Sequence, residues 1–326
     1  MGMTKALCYI IENFDLKPKL SVDFIKELHR LCMKEVKNTR QGTKPGEFRE
    51  NYTTAAWDLV PGDSDTFEGL LENIIYLGAI QGKYPTDMDL QFSKDPNFSW
   101  LSSPANNKSE IRIWVQNELG KPVYTRYFSF KDNPQAIAKE IWAAVKEGKH
   151  VKYVTSKKGE NLLTRVQDDC IQTLEDSLDN AQSKNQKLTA IFTFLKQVVL
   201  FHPFYDGVGR TYSMLLLQYL LIRENLMPVI LKDSNMIPGF SVLQLVDEYL
   251  RAEKEMQTIL EDSSFIKNPQ FASPNVDTAT ILKAQSHDYH KMFQECLNLL
   301  KSTLDKLNLD INTKHAQEES ASKKTT

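Results

Sequence analysis

Apolar positions along the chain recur mostly at helical spacing. Over 21–36, Phe24, Ile25, Leu28, Leu31, Cys32 and Val36 fall on one stripe, with Ser21 placed to cap the helix and Glu27 inside it. Residues 67–80 form a second apolar helical stretch, opened by Asp63, Ser64 and Asp65. Asn133 and Pro134 mark the start of a helix reaching about 147, with Ala136, Ile137, Ile141, Trp142 and Val145 facing inward. Two strongly apolar helices follow. The first, 187–201, carries Ile191, Phe192, Leu195, Val198 and Val199, and the second, 207–225, is apolar nearly all round at Met214, Leu215, Leu217, Leu220 and Leu221. Helices apolar on most faces belong at the centre of a domain. An amphipathic helix is expected over 242–259 and a last periodic stretch over 279–309, before a polar, disordered tail at 312–326.

One region reads as β. Ile111, Ile113 and Val115 alternate with Arg112 and Trp114, residues 124–130 are dense in aromatics, and 117–122 reads as the hairpin connection between them. Residues 38–50 are turn-rich, 83–109 read as a long irregular insertion rich in Pro, Asn, Ser and Asp, and 233–239 read as a loop. The expected architecture is mostly α with one small β-hairpin. It forms one domain over 1–311, with a core at about 21–260, an insertion at about 50–110 and a helical extension at about 275–311.

Composition narrows the class. The 326 residues are 41% hydrophobic and carry 40 basic against 42 acidic side chains. That excludes a disordered or collagen-like chain, and the lack of a basic surplus argues against nucleic-acid binding. The longest apolar runs, such as 214–222, are too short to span a bilayer, so a soluble protein is expected. Cys8, Cys32, Cys170 and Cys296 show no metal-ligand spacing and read as reduced thiols. The N-terminus shows neither a secretory apolar region nor the Ser or Thr at position 6 that myristoylation favours. The expected location is the cytoplasm, or a host cytosol reached through a secretion signal in the Lys- and Glu-rich tail.

The link joining the two most apolar helices reads His202-Pro203-Phe204-Tyr205-Asp206-Gly207-Val208-Gly209-Arg210. An imidazole closing one helix can serve as general base near neutral pH. Gly207 and Gly209 open the next helix and let backbone N–H groups approach an anion, which the helix dipole favours. Arg210 can clamp phosphate oxygens, and Asp206 is a hard oxygen ligand beside them, suited to Mg²⁺ on a phosphate. Phe204 reads as a core anchor for the turn.

This segment resembles the signature of the Fic family, H-x-F-x-[D/E]-G-N-G-R-x-x-R, matched at His202, Phe204, Asp206, Gly207, Gly209 and Arg210. Leu28-His29 followed by Gly46-Glu47-Phe48-Arg49 resembles an earlier family segment. The likeness extends loosely over 21–260, and the hairpin at 111–130 stands where such proteins carry a target-docking flap. The resemblance implies a Fic-like helical core and transfer of AMP from ATP, with Mg²⁺ or Mn²⁺, onto a Ser, Thr or Tyr hydroxyl of a target protein. In that reading His202 deprotonates the hydroxyl, Gly207, Val208 and Gly209 form the anion cradle, Asp206 holds the metal and Arg210 neutralises the distal phosphates. Tyr124 and Thr125 would lie on the edge that docks the target, a host protein if the chain is a bacterial effector.

Two positions depart from the signature. Val208 replaces the family's Asn, and Ser213 replaces its second Arg, which in the family grips a γ-phosphate. A donor other than ATP, carrying UMP or phosphocholine, is therefore the alternative, and a catalytically weakened binding module is the competing class. Two stretches match the loose inhibitory pattern of the family. The one at 64–69 reads as ordinary helix N-terminal chemistry, an Asp or Ser cap with Glu68 in the first turn, and the one at 156–161 as a surface loop. His287 and His290 read as a solvated face, and the basic group of Lys152, Lys157 and Lys158, with Tyr153, reads as a loop and not an RNA site.

Overall fold

A computed structural model describes residues 2–14, 20–34, 36, 43–49, 55–58, 65–83, 88–92, 110–116, 122–129, 133–147, 152–157, 160–233 and 235–261. Helices dominate, as the periodicity predicts. They are α1 (Gly2–Phe14), α2 (Val22–Met33), α3 (Phe67–Lys83), α4 (Pro134–Lys146), α5 (Glu160–Asp179), α6 (Lys184–Leu200), α7 (Leu217–Arg223), the single turn α8 (Met236–Gly239) and α9 (Val242–Glu261). Between α6 and α7 the residues Gly209–Leu216 form a π-helical segment.

Local chemistry sets the helix starts. The Ser21 hydroxyl accepts the Phe24 N–H (3.2 Å) at the head of α2. Asn133 accepts the Gln135 N–H (2.9 Å), with Pro134 as the first residue of α4. Ser183 and Gln186 close a reciprocal capping box on α6. The cap of α3 departs from expectation: Thr66, whose hydroxyl accepts the Gly69 N–H (3.0 Å), takes the role assigned to Asp or Ser. On α4, Ala136, expected to face inward, is exposed, and Ala138 is buried instead.

α6 is the centre. Ile191, Phe192, Phe194, Leu195 and Val198 are all buried, with α5, α9 and the π segment packed around them. Even Lys196 is fully buried there. It donates to the carbonyls of Pro238 (3.1 Å) and Phe240 (2.5 Å), and desolvation pulls its pKa down to about 7. The same corner brings α3 against α8 so tightly that a Cβ on Gly69 would lie 1.9 Å from the Gly239 carbonyl oxygen.

The expected hairpin is present as β3 (Glu110–Gln116) and β4 (Pro122–Ser129), paired antiparallel with an irregularity between Val115 and Gln116. A second, three-stranded sheet was not expected. It places β5 (Lys152–Lys157) between β1 (Ala55–Asp58) and β2 (Met88–Phe92), antiparallel to both. The segment 83–109 is thus not wholly irregular, and the supposed loops at 152–158 and 156–161 contribute a strand and the start of α5. Residues 236–239, also read as loop, form α8. The periodic stretch at 279–309, the tail at 312–326, and His287 and His290 lie outside the described residues. No described helix is long and apolar enough to cross a membrane.

Candidate active site

The 202–210 turn leaves the end of α6 in a strained conformation. His202 has φ 44°, in the left-handed region that side chains other than Gly rarely adopt, while its N–H still bonds the Val199 carbonyl at 2.9 Å. Such a conformation persists only when its surroundings over-determine it. Here they come from α2 and from 43–49.

Arg49 holds the turn's first half. Its N–H donates to the Pro203 carbonyl (2.9 Å) and its guanidinium to the Phe201 carbonyl (2.9 Å). Burial lowers its pKa only to about 10, so the guanidinium stays charged at neutral pH. His29 holds the second half. Its ring stacks on Phe204, with centroids 3.7 Å apart and planes 3° from parallel. The Gly46 N–H points at Nδ1 (2.8 Å), which makes that nitrogen the acceptor and puts the proton on Nε2, facing the Asp206 carbonyl at 3.0 Å. Desolvation pulls the buried ring's pKa down to about 4, so it is neutral at physiological pH. Phe204 is fully buried against His29, Phe48 and Tyr212, as the anchor role requires. Neither clamp was assigned a role from the sequence. Their only signal there was the likeness at 28–29 and 46–49.

Gly207 has φ 77°, and a Cβ on it would lie 2.5 Å from Met33 Sδ and 3.2 Å from His29 Nε2. Gly207→Ala is therefore expected to lower unfolding stability by about 1–3 kcal/mol, read from the denaturant midpoint at unchanged m-value. An unchanged midpoint would show that the turn relaxes freely.

Beyond Gly207 a helix opens toward the surface. Its first backbone bond runs from the Thr211 N–H to the Gly207 carbonyl (2.9 Å), so the N–H groups of 208–210 stand at the uncapped end. Asp206 Oδ1 accepts the Gly207 N–H (2.7 Å) and the Arg210 guanidinium (3.2 Å). The structure thus brings His202, Asp206, Gly207, Val208, Gly209 and Arg210 into one short turn. Val208 offers its backbone only, since its side chain is 5% exposed and packs in the core. Tyr124 and Thr125 lie on a different element, β4, opposite Val115 and Trp114. Among the described residues no three His, Cys, Asp or Glu side chains converge as a metal site. A divalent ion here would have Asp206 as its protein ligand and would be completed by phosphate oxygens, the usual mode for Mg²⁺.

No protein-family profile matches the chain. It is 23% identical over 264 residues to the phosphocholine transferase AnkX of Legionella pneumophila, an alignment covering 79% of this chain. The aligned part is 25% of that protein, so the chain spans about a quarter of the length of the relative it resembles.

Proposed function

We propose that the chain is a Fic-type transferase that moves a phosphate-bearing group from a diphosphate-linked donor onto a hydroxyl of a protein. The observation that carries this reading is the clamped turn, which sets a strained His202 beside a glycine-led helix start bearing Arg210 and Asp206. The similarity to a phosphocholine transferase favours CDP-choline as donor over ATP, and phosphocholine over AMP as the group moved.

In the transfer, His202 accepts the hydroxyl proton as the oxygen forms a new bond to phosphorus. The bond from that phosphorus to the bridging oxygen breaks, and the leaving phosphate takes the electron pair. Arg210 and the N–H groups of 208–210 face that growing charge at the helix start, where fixed donors stabilise it without reorganisation. A donor phosphate would draw Arg210 and the Gly207 N–H away from Asp206. Asp206 is then the residue to hold Mg²⁺ or Mn²⁺, whose chemistry would be to neutralise phosphate oxygens. The target in this reading is a protein, a host protein where the chain acts as a bacterial effector.

Incubating the protein with Mg²⁺, cell lysate and labelled CDP-choline, ATP or UTP tests the reading. Protein-bound label from CDP-choline is the expected result. Label from ATP or UTP alone would move the reading to AMP or UMP transfer. No label from any donor would leave a binding module.

A further inference from the structure

The helix that opens at the site is not an α-helix. From Gly209 to Leu216 its bonds follow the π repeat, ending with the Leu217 N–H on the Tyr212 carbonyl, five residues back. On an α-helix, positions i+3 and i+4 both flank position i. The wider π turn brings i+4 over i and swings i+3 aside. Burial agrees: Met214 is 46% exposed while Ser213 is 5% exposed, and the Ser213 hydroxyl is buried without a hydrogen-bond partner. The outward stripe is Arg210, Met214 and Gln218, with Ser213 turned into the core.

We propose that Met214, not Ser213, meets the far end of the donor, and that it adapts the site to a diphosphate-linked donor without a third phosphate. The inference rests on the transferase reading above. Arg210, at the helix mouth, can hold the phosphates nearest the N–H groups. One turn further out, the next group of a long donor would find a thioether in place of a cation. That soft, polarisable side chain suits a methyl-bearing or aromatic end and gives a further phosphate no counter-charge. The face of the helix, more than the spacing along the chain, then decides which residue selects the donor.

Binding of inorganic pyrophosphate and tripolyphosphate, measured by calorimetry with Mg²⁺ present, tests this directly. The wild-type protein should bind the two with affinities within about threefold of each other, since beyond Arg210 this helix face offers a third phosphate Met214 and Gln218 and no charge. Met214→Arg should gain about tenfold for tripolyphosphate relative to pyrophosphate, the size of one charge-assisted hydrogen bond. Ser213→Arg forces a guanidinium into the core, so it should melt well below the wild type and show no such gain. A folded Ser213→Arg protein with the tenfold gain, or a folded Met214→Arg protein without it, would overturn the proposal. Wild-type transfer activity, assayed in parallel, keeps the two readings apart. Transfer without the Met214→Arg gain sinks this inference alone, and absence of both transfer and anion binding sinks the transferase reading with it.

Discussion

Replacing His202 with Ala should slow transfer by about 10²–10⁴-fold, the usual contribution of a positioned general base, and leave donor affinity nearly unchanged. The split follows from where the turn gets its shape. Arg49 grips the carbonyls on either side of His202, and His29 holds Phe204 and the Asp206 carbonyl. His202 itself is partly exposed, while Pro203 and Phe204 beside it are buried. Losing it should cost about 1 kcal/mol or less of stability, mostly because Ala tolerates φ 44° less readily than His does. Single-turnover transfer, a thermal melt and donor calorimetry on one preparation would read the three quantities together. A variant transferring at the wild-type rate would remove His202 from the chemistry. One that melts early or loses donor affinity would place its role in holding the turn.

How much of this was legible in the sequence depends on how local each feature is. Ser21 before α2 and Asn133-Pro134 before α4 act within three residues, and both caps are where the sequence puts them. The glycine-led turn was legible for the same reason. α5 carries a stripe through Leu163, Val166, Cys170, Leu174 and Leu178 set among polar residues, and no element was assigned there from the sequence. The three-stranded sheet pairs Ala55 with Thr155 and Met88 with Lys157, partners too distant for any short window to connect. The clamps fail for the same reason: His29 and Asp206 are 177 residues apart. Met214 was misread differently. An apolar residue among Leu215, Leu217 and Leu220 looks like core, yet it shares the outward face of Arg210, from which the π turn swings Ser213 aside.

His29 offers the largest expected effect outside the chemistry itself. Its ring fills a closed space against Phe204, accepts from Gly46 through Nδ1 and donates to Asp206 through Nε2. His29→Ala would leave a cavity, an orphaned N–H and an orphaned carbonyl, and should cost about 2–4 kcal/mol. Two half-mimics separate packing from positioning. An Asn amide oxygen can take the Nδ1 role and keep Gly46, while a Gln amide nitrogen can take the Nε2 role and keep Asp206. Both lose the stacked ring and one bond, so similar losses of stability are expected. If the tie to Asp206 sets the helix mouth, His29→Gln should retain most of the transfer rate and His29→Asn should lose about tenfold or more in kcat at little change in KM. The pH dependence of folding gives an independent reading. Burial and the Arg210 charge oppose protonation of the ring, the Asp206 carbonyl and carboxylate oppose that shift, and the folded pKa settles near 4 against an ordinary 6.5. The unfolded chain therefore binds the proton first. The stability that His29 contributes is complete above pH 6.5 and is lost as the pH falls toward 4, by about 3 kcal/mol in all. Denaturant midpoints at pH 7 and pH 4.5 should differ by less in the Asn and Gln variants than in the wild type. Equal pH slopes in all three proteins would show that His29 is not the buried neutral clamp, and equal kcat in the two variants would show that its tie to Asp206 does not set the helix mouth.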